Sequence, residues 1–86
     1  MKRFEHIIRA AHGIHGKPAR EIVKIARRYA DTAITVSCAA RTVRGDTLLR
    51  LMTLGARTGD RVTVTCEGPD EMDATIAMQN YFWNHL

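Results

Sequence analysis

The stretch Arg61-Val62-Thr63-Val64-Thr65-Cys66-Glu67 alternates polar and apolar side chains without a fault. A period of two sends Val62, Val64 and Cys66 to one face and the polar residues to the other, as in a strand buried on one side. Residues 33–38 repeat the pattern, with Ile34, Val36 and Cys38 together. Strands that are half apolar belong in an antiparallel sheet with one covered face, and that face needs helices to cover it.

The rest of the chain supplies them. Ala19, Ile22, Val23, Ala26 and Ala30 form one helical stripe, predicting a first helix over residues 16–29. Residues 4–10, with Phe4, Ile7 and Ile8, read as a strand of imperfect alternation. Asp31-Thr32 marks a turn, and residues 41–43 read as a short strand in a hairpin with 33–38. Gly45-Asp46-Thr47 offers a break and two N-caps for a short helix ending near residue 52 or 53, with Gly55 as its stop. After the Thr58-Gly59-Asp60 turn and the strand at 61–67, Asp70 is placed to cap the last helix, and Glu71 and Asp73 suit its positive end. That helix is expected to bury Ala74, Ala77, Met78, Tyr81 and Phe82. Ile76 and Trp83 fall on its other side, so Trp83 is either an oligomer contact or a cover folded over the helix end. The order βαββαβα predicts an α+β open-faced β-sandwich, a four-stranded antiparallel sheet with three helices on one face. The chain's 86 residues suffice for one domain.

Thirteen basic and nine acidic residues leave a net charge of +4, compatible with nucleic acid, an acidic protein surface or an anionic ligand. Nucleic acid is the weakest of these, because the outward strand positions are Thr and Glu rather than stacking aromatics. Cys38 and Cys66 sit in the alternating strands and read as buried free thiols, pointing to a reduced, cytosolic setting. No apolar run approaches a membrane span, and Met1-Lys2-Arg3 has no apolar signal region behind it.

The chemistry concentrates in Gly13-Ile14-His15-Gly16-Lys17-Pro18-Ala19. Proline suits the first turn of a helix, which puts His15 at or just before the helix N-terminus. Unpaired N–H groups and the positive dipole end attract anions there, and Lys17 adds a mobile charge. An exposed imidazole beside such a hole is suited to holding a phosphoryl group. Arg20, Lys24 and Arg27 recur at helical spacing on the outer face, as a solvated face or as a docking strip for an acidic partner.

These residues resemble the HPr family, the histidine-containing phosphocarriers of the bacterial phosphoenolpyruvate-dependent sugar phosphotransferase system. The resemblance runs through residues 13–19, the Thr47-Leu48-Leu49 helix start, Leu51-Met52-Thr53-Leu54-Gly55, and Gly59, Val62, Val64 and Gly68, and the order of elements agrees. It implies that His15 accepts a phosphoryl group on Nδ1 from phosphorylated Enzyme I and passes it to the A domain of a sugar-specific Enzyme II. The Gly16 and Lys17 amides and the Lys17 ammonium would meet the phosphoryl oxygens. It further implies a docking surface of Arg20, Lys24 and Arg27 with Leu48, Leu49 and Met52 beside them. Three large apolar residues spread around so short a helix cannot all be buried, so Leu48 or Leu49 is expected to be exposed. The carrier is expected to be a cytoplasmic monomer that needs no cofactor or metal, with stoichiometric rather than catalytic turnover.

Departures from the family pattern gather near His15. Lys17 stands where Arg is usual and lacks its bidentate fork. Gly16 stands where Ser, Thr or Ala is usual, His12 where a smaller polar residue is usual, and one residue is added near Asp31. Thr47 occupies the position of a regulatory serine in many Gram-positive relatives, and with Asp46 before it a capping role is favoured. His12 and His15 form an H-x-x-H pair without further ligands nearby, which disfavours zinc. The competing reading is a regulatory HPr-like module that docks partners without relaying phosphate; it leaves His15 without a task.

Overall fold

The computed structural model describes all 86 residues. The elements are β1 (Lys2–Ile7), α1 (Lys17–Arg28), β2 (Ala33–Cys38), β3 (Arg41–Arg44), α2 (Leu48–Thr53), β4 (Arg61–Glu67) and α3 (Glu71–His85). The four strands form one antiparallel sheet in the order β1-β4-β2-β3. β4 lies between β1 and β2, and its alternation sends Val62, Val64 and Cys66 to the covered face. Phe4, Val64 and Val36 fall in register across β1, β4 and β2 and face the helices. Val62, Val64, Cys66, Ile22, Leu51, Met78 and Phe82 are fully buried there, with α3 packed on β1 and β4 and α1 on α3. The opposite face carries Arg3, Glu5, Thr35, Ser37, Thr42, Thr63 and Thr65 and no aromatic ring.

Cys38 and Cys66 are free and buried, as expected, and burial is the main reason that both thiols titrate above the ordinary cysteine range. No helix is long and apolar enough to cross a membrane. On α3, Ala74, Met78 and Phe82 are buried, while Ala77 and Tyr81 only flank the core.

Three local expectations need correcting. β1 stops at Ile7, not at residue 10: the next amide, on Ile8, goes to Asp60 O, and those of Arg9 and Ala10 go to Leu86 O, so the chain is drawn off the sheet by the α3 end. Asp70 occupies the N-cap position of α3 but makes no side-chain cap, because its φ of −107° and ψ of 25° lie outside the extended region caps use. The amides just before the helix find side-chain acceptors, Gly68 N on Glu71 Oε1 at 3.2 Å and Asp70 N on Thr32 Oγ1 at 2.9 Å. Thr47 likewise stands at the N-cap of α2 with no side-chain cap bond. Its hydroxyl donates to Asp46 Oδ1 at 3.1 Å.

Asp46 also receives Arg44 Nη2 at 3.1 Å. These bonds, chiefly the one from Arg44, hold its carboxyl below the usual carboxylate range against a smaller opposing effect of burial. A depressed carboxyl stabilises the fold above its unfolded value of about 3.9, and that contribution disappears as pH falls through the folded value. Urea midpoints measured across acid pH should therefore fall less steeply below about pH 4 in Asp46→Asn than in the parent. Identical acid limbs would remove Asp46 from the account.

Candidate functional site

His15 is exposed on a loop that is itself fastened on both sides. Ile14, 2% exposed, plugs into the core, and its amide donates to Ala56 O at 3.1 Å. Gly13 N reaches Ala10 O and His15 N reaches Gly13 O, both at 3.1 Å. Gly13 and Gly16 have φ of 65° and 64°. The chain thus turns before and after His15, and the imidazole stands out without a hydrogen bond of its own.

Gly16 is the N-cap of α1, and Pro18 occupies the first turn, as the sequence predicted. No side chain caps the end. Arg20 N closes the first turn on Gly16 O at 3.1 Å, leaving the Gly16 and Lys17 amides without an acceptor in the chain. Two free N–H groups at a helix N-terminus, immediately after an exposed histidine, make an anion seat. The first turn of α1 has no acidic residue to oppose an incoming anion.

A cleft of about 170 Å³ opens beside His15, lined by His12, Ile14, Met52, Gly55, Ala56 and Arg57. Its cation is Arg57, which sequence reasoning missed. Lys17 is exposed on the first residue of α1 and does not line this cleft. The α2–β4 loop brings Arg57 there. Thr58 Oγ1 donates to Ala10 O at 2.6 Å, Gly59 N to Ile8 O at 2.8 Å, and Asp60 Oδ2 accepts Arg57 N at 2.9 Å. A cation between two small residues was the only signal for it, and nothing local placed that loop against residue 13. His12 and His15 share the cleft, but no third His, Cys, Asp or Glu completes a metal-ligand set.

The predicted docking residues are carried by α1 and α2, which pack on one another. Arg20, Lys24 and Arg27 are exposed, Lys24 being paired with Glu21 at 3.1 Å while Arg20 and Arg27 have no carboxylate partner. Leu48 and Leu49 are 36% and 72% exposed, whereas Leu51 is fully buried, so α2 turns one leucine inward and presents two. Met52, half-buried, joins this surface to the His15 cleft. Trp83 is 68% exposed at the far end of α3, where the Arg9 guanidinium lies 4.7 Å above its ring and donates to its carbonyl at 2.6 Å.

An exposed histidine thus stands at an uncapped helix start, on an open-faced antiparallel sheet. A family model described as "PTS HPr component phosphorylation site" matches residues 2–84. The chain belongs to the HPr family, the phosphocarriers of the phosphotransferase system. The phosphocarrier protein HPr of Borreliella burgdorferi is 38% identical over 71 residues, covering 83% of this chain and 81% of that protein. The crystal structure of HPr-C-His from Thermoanaerobacter tengcongensis superposes with a TM-score of 0.91 at 27% identity, covering 98% of this chain and 93% of that one. An HPr dimer from the same organism matches with a TM-score of 0.76 at 27% identity, covering 98% and 95%.

Proposed function

We propose that His15 is the phosphoryl acceptor, taking the group on Nδ1 from phosphorylated Enzyme I and passing it to the A domain of an Enzyme II. The imidazole lone pair forms the new N–P bond while the bond between phosphorus and the donor breaks, the donor keeping that electron pair. Phosphoryl transfer asks a protein for positioning and charge stabilisation above all. The observation that carries the reading is the pair of unclaimed amides at Gly16 and Lys17, directly after an exposed His15. Lys17 contributes charge at longer range. The exposure of the site suits a carrier, which must release what it takes.

Arg20, Lys24, Arg27, Leu48, Leu49 and Met52 form the docking surface, an apolar centre with a basic rim that fits an acidic, partly apolar partner. The chain works as a cytoplasmic monomer and one carrier domain, since a stoichiometric carrier must offer this one surface to each partner in turn. Thr47, with its hydroxyl engaged by Asp46, serves the start of α2 rather than regulation; phosphate added there would meet the Asp46 charge.

The deciding experiment incubates the protein with phosphoenolpyruvate and an active Enzyme I and reads intact mass. A single acid-labile phosphoryl adduct supports the carrier, and no adduct leaves the regulatory module in its place. For the docking surface, Leu49→Asp is expected to weaken productive encounter with Enzyme I by about 1 kcal/mol or more, read as a raised KM for the carrier. Its folding stability should move by no more than about 0.5 kcal/mol, because so exposed a side chain contributes little to the core. An unchanged KM would take Leu49 out of the interface.

A further inference from the structure

Arg57 is the one cation that shares the cleft with His15. It is exposed, and its side chain has neither a carboxylate partner nor a hydrogen bond. Its backbone, by contrast, is held firmly. Asp60 Oδ2 accepts the Arg57 amide at 2.9 Å, and Arg57 O accepts Asp60 N at 2.9 Å. The neighbouring Ala56 O accepts Ile14 N at 3.1 Å. So tight is the approach that a Cβ on Gly13 would stand 2.8 Å from Arg57 Cα. A fixed backbone bearing an unoccupied guanidinium, packed on the loop that carries the acceptor, is an arrangement with an evident anionic use.

We propose that Arg57 binds the phosphoryl group on His15, supplying from the α2–β4 loop the bidentate guanidinium that Lys17 cannot supply from α1. The phosphoryl oxygens are then met from two sides, by the Gly16 and Lys17 amides on one and by Arg57 on the other. Arg donates through a planar fork matched to phosphate, whereas Lys acts as a point charge. Loss of Arg57 therefore costs more than loss of Lys17. The site still turns over, because Arg57 is exposed and its contact is shared with water. The proposal rests on the reading of His15 as acceptor.

Two measurements test it. The first compares initial rates of phosphorylation by Enzyme I for the parent, Arg57→Ala, Arg57→Lys, Lys17→Ala and, as a charge control on the open sheet face, Arg3→Ala. Arg57→Ala should lower the maximal rate about tenfold with little change in KM, the cost of one charge-assisted bond to the transferring group. Arg57→Lys should recover part of that loss, Lys17→Ala should lose less, and Arg3→Ala should match the parent. Equal maximal rates for Arg57→Ala and Arg3→Ala would overturn the proposal while leaving the carrier reading intact.

The second measurement needs no Enzyme I. Inorganic phosphate is titrated into the unphosphorylated protein at mildly alkaline pH. Amide shifts of Gly16 and Lys17 and the side-chain Nε shift of Arg57 are followed by NMR. All three should saturate together, and Arg57→Ala should weaken the binding seen at Gly16 about threefold. Binding at Gly16 that ignores Arg57→Ala, or no binding at all, would overturn the proposal even if Enzyme I proved inactive on this chain.

Discussion

His15→Ala is expected to abolish the acid-labile phosphoryl adduct formed with phosphoenolpyruvate and Enzyme I, while leaving the fold as stable as the parent. The two halves of that expectation have separate causes. The imidazole is exposed and makes no hydrogen bond, so its removal should change stability by no more than about 0.5 kcal/mol. Phosphorylation, however, needs a nucleophilic lone pair at the mouth of the α1 N-terminus, and no other residue provides one there. His12 is the informative bystander, since it lines the same cleft but precedes Gly13 rather than the free amides. An adduct that persisted in His15→Ala and vanished in His12→Ala would move the acceptor. A stable but unphosphorylatable His15→Ala assigns it to His15.

Gly13→Ala should be the most damaging change to the loop, and its comparison with Gly16→Ala isolates the reason. Both glycines sit at almost the same positive φ, 65° and 64°. Alanine at Gly16 would meet nothing within 4 Å, so its cost is that of the backbone conformation alone, about 1–3 kcal/mol. The family's usual Ser, Thr or Ala at that position would bear this cost; glycine here avoids it. Alanine at Gly13 would place its Cβ 2.1 Å from Ala56 O and 2.8 Å from Arg57 Cα. Both obstacles are backbone and cannot rotate aside. The α2–β4 loop must withdraw, taking the Ile14–Ala56 bond with it, for a total of about 2–4 kcal/mol. In a chain of this size that corresponds to a fall in Tm of roughly 10 °C or more. Phosphorylation should slow as well, because the movement carries Arg57 away from His15. Equal shifts in urea midpoint for the two variants would mean that the loops give way more easily than their packing indicates.

Much of this architecture was legible in local pattern. The alternation of 33–38 and 61–67 specified strand, facing and single-sided burial, and the structure reproduces both ranges. The glycine-flanked His15 with Pro18 specified an exposed side chain at a helix start. The exposed leucines followed from a short helix with more apolar residues than one face can hide. Less legible were events that depend on a distant competitor. β1 ends early because the α3 terminus claims the Arg9 and Ala10 amides. Asp70 and Thr47 stand where caps should stand, yet neither side chain bonds a first-turn amide, and the side-chain bonds nearby run to Glu71, Thr32 and Asp46.

The sequence by itself determined the elements, the face each one buries, and the histidine that ends in solvent before a helix, because each depends on periodicities and backbone preferences within a few residues. Only the tertiary structure decided that β4 separates β1 from β2, and that the α2–β4 loop lies against Gly13. Both are matters of which surfaces meet after the chain has turned back several times, and no local preference records them. Arg57 belongs to this second kind. In the chain it is one cation in a turn; in the fold it lines the same cleft as His15.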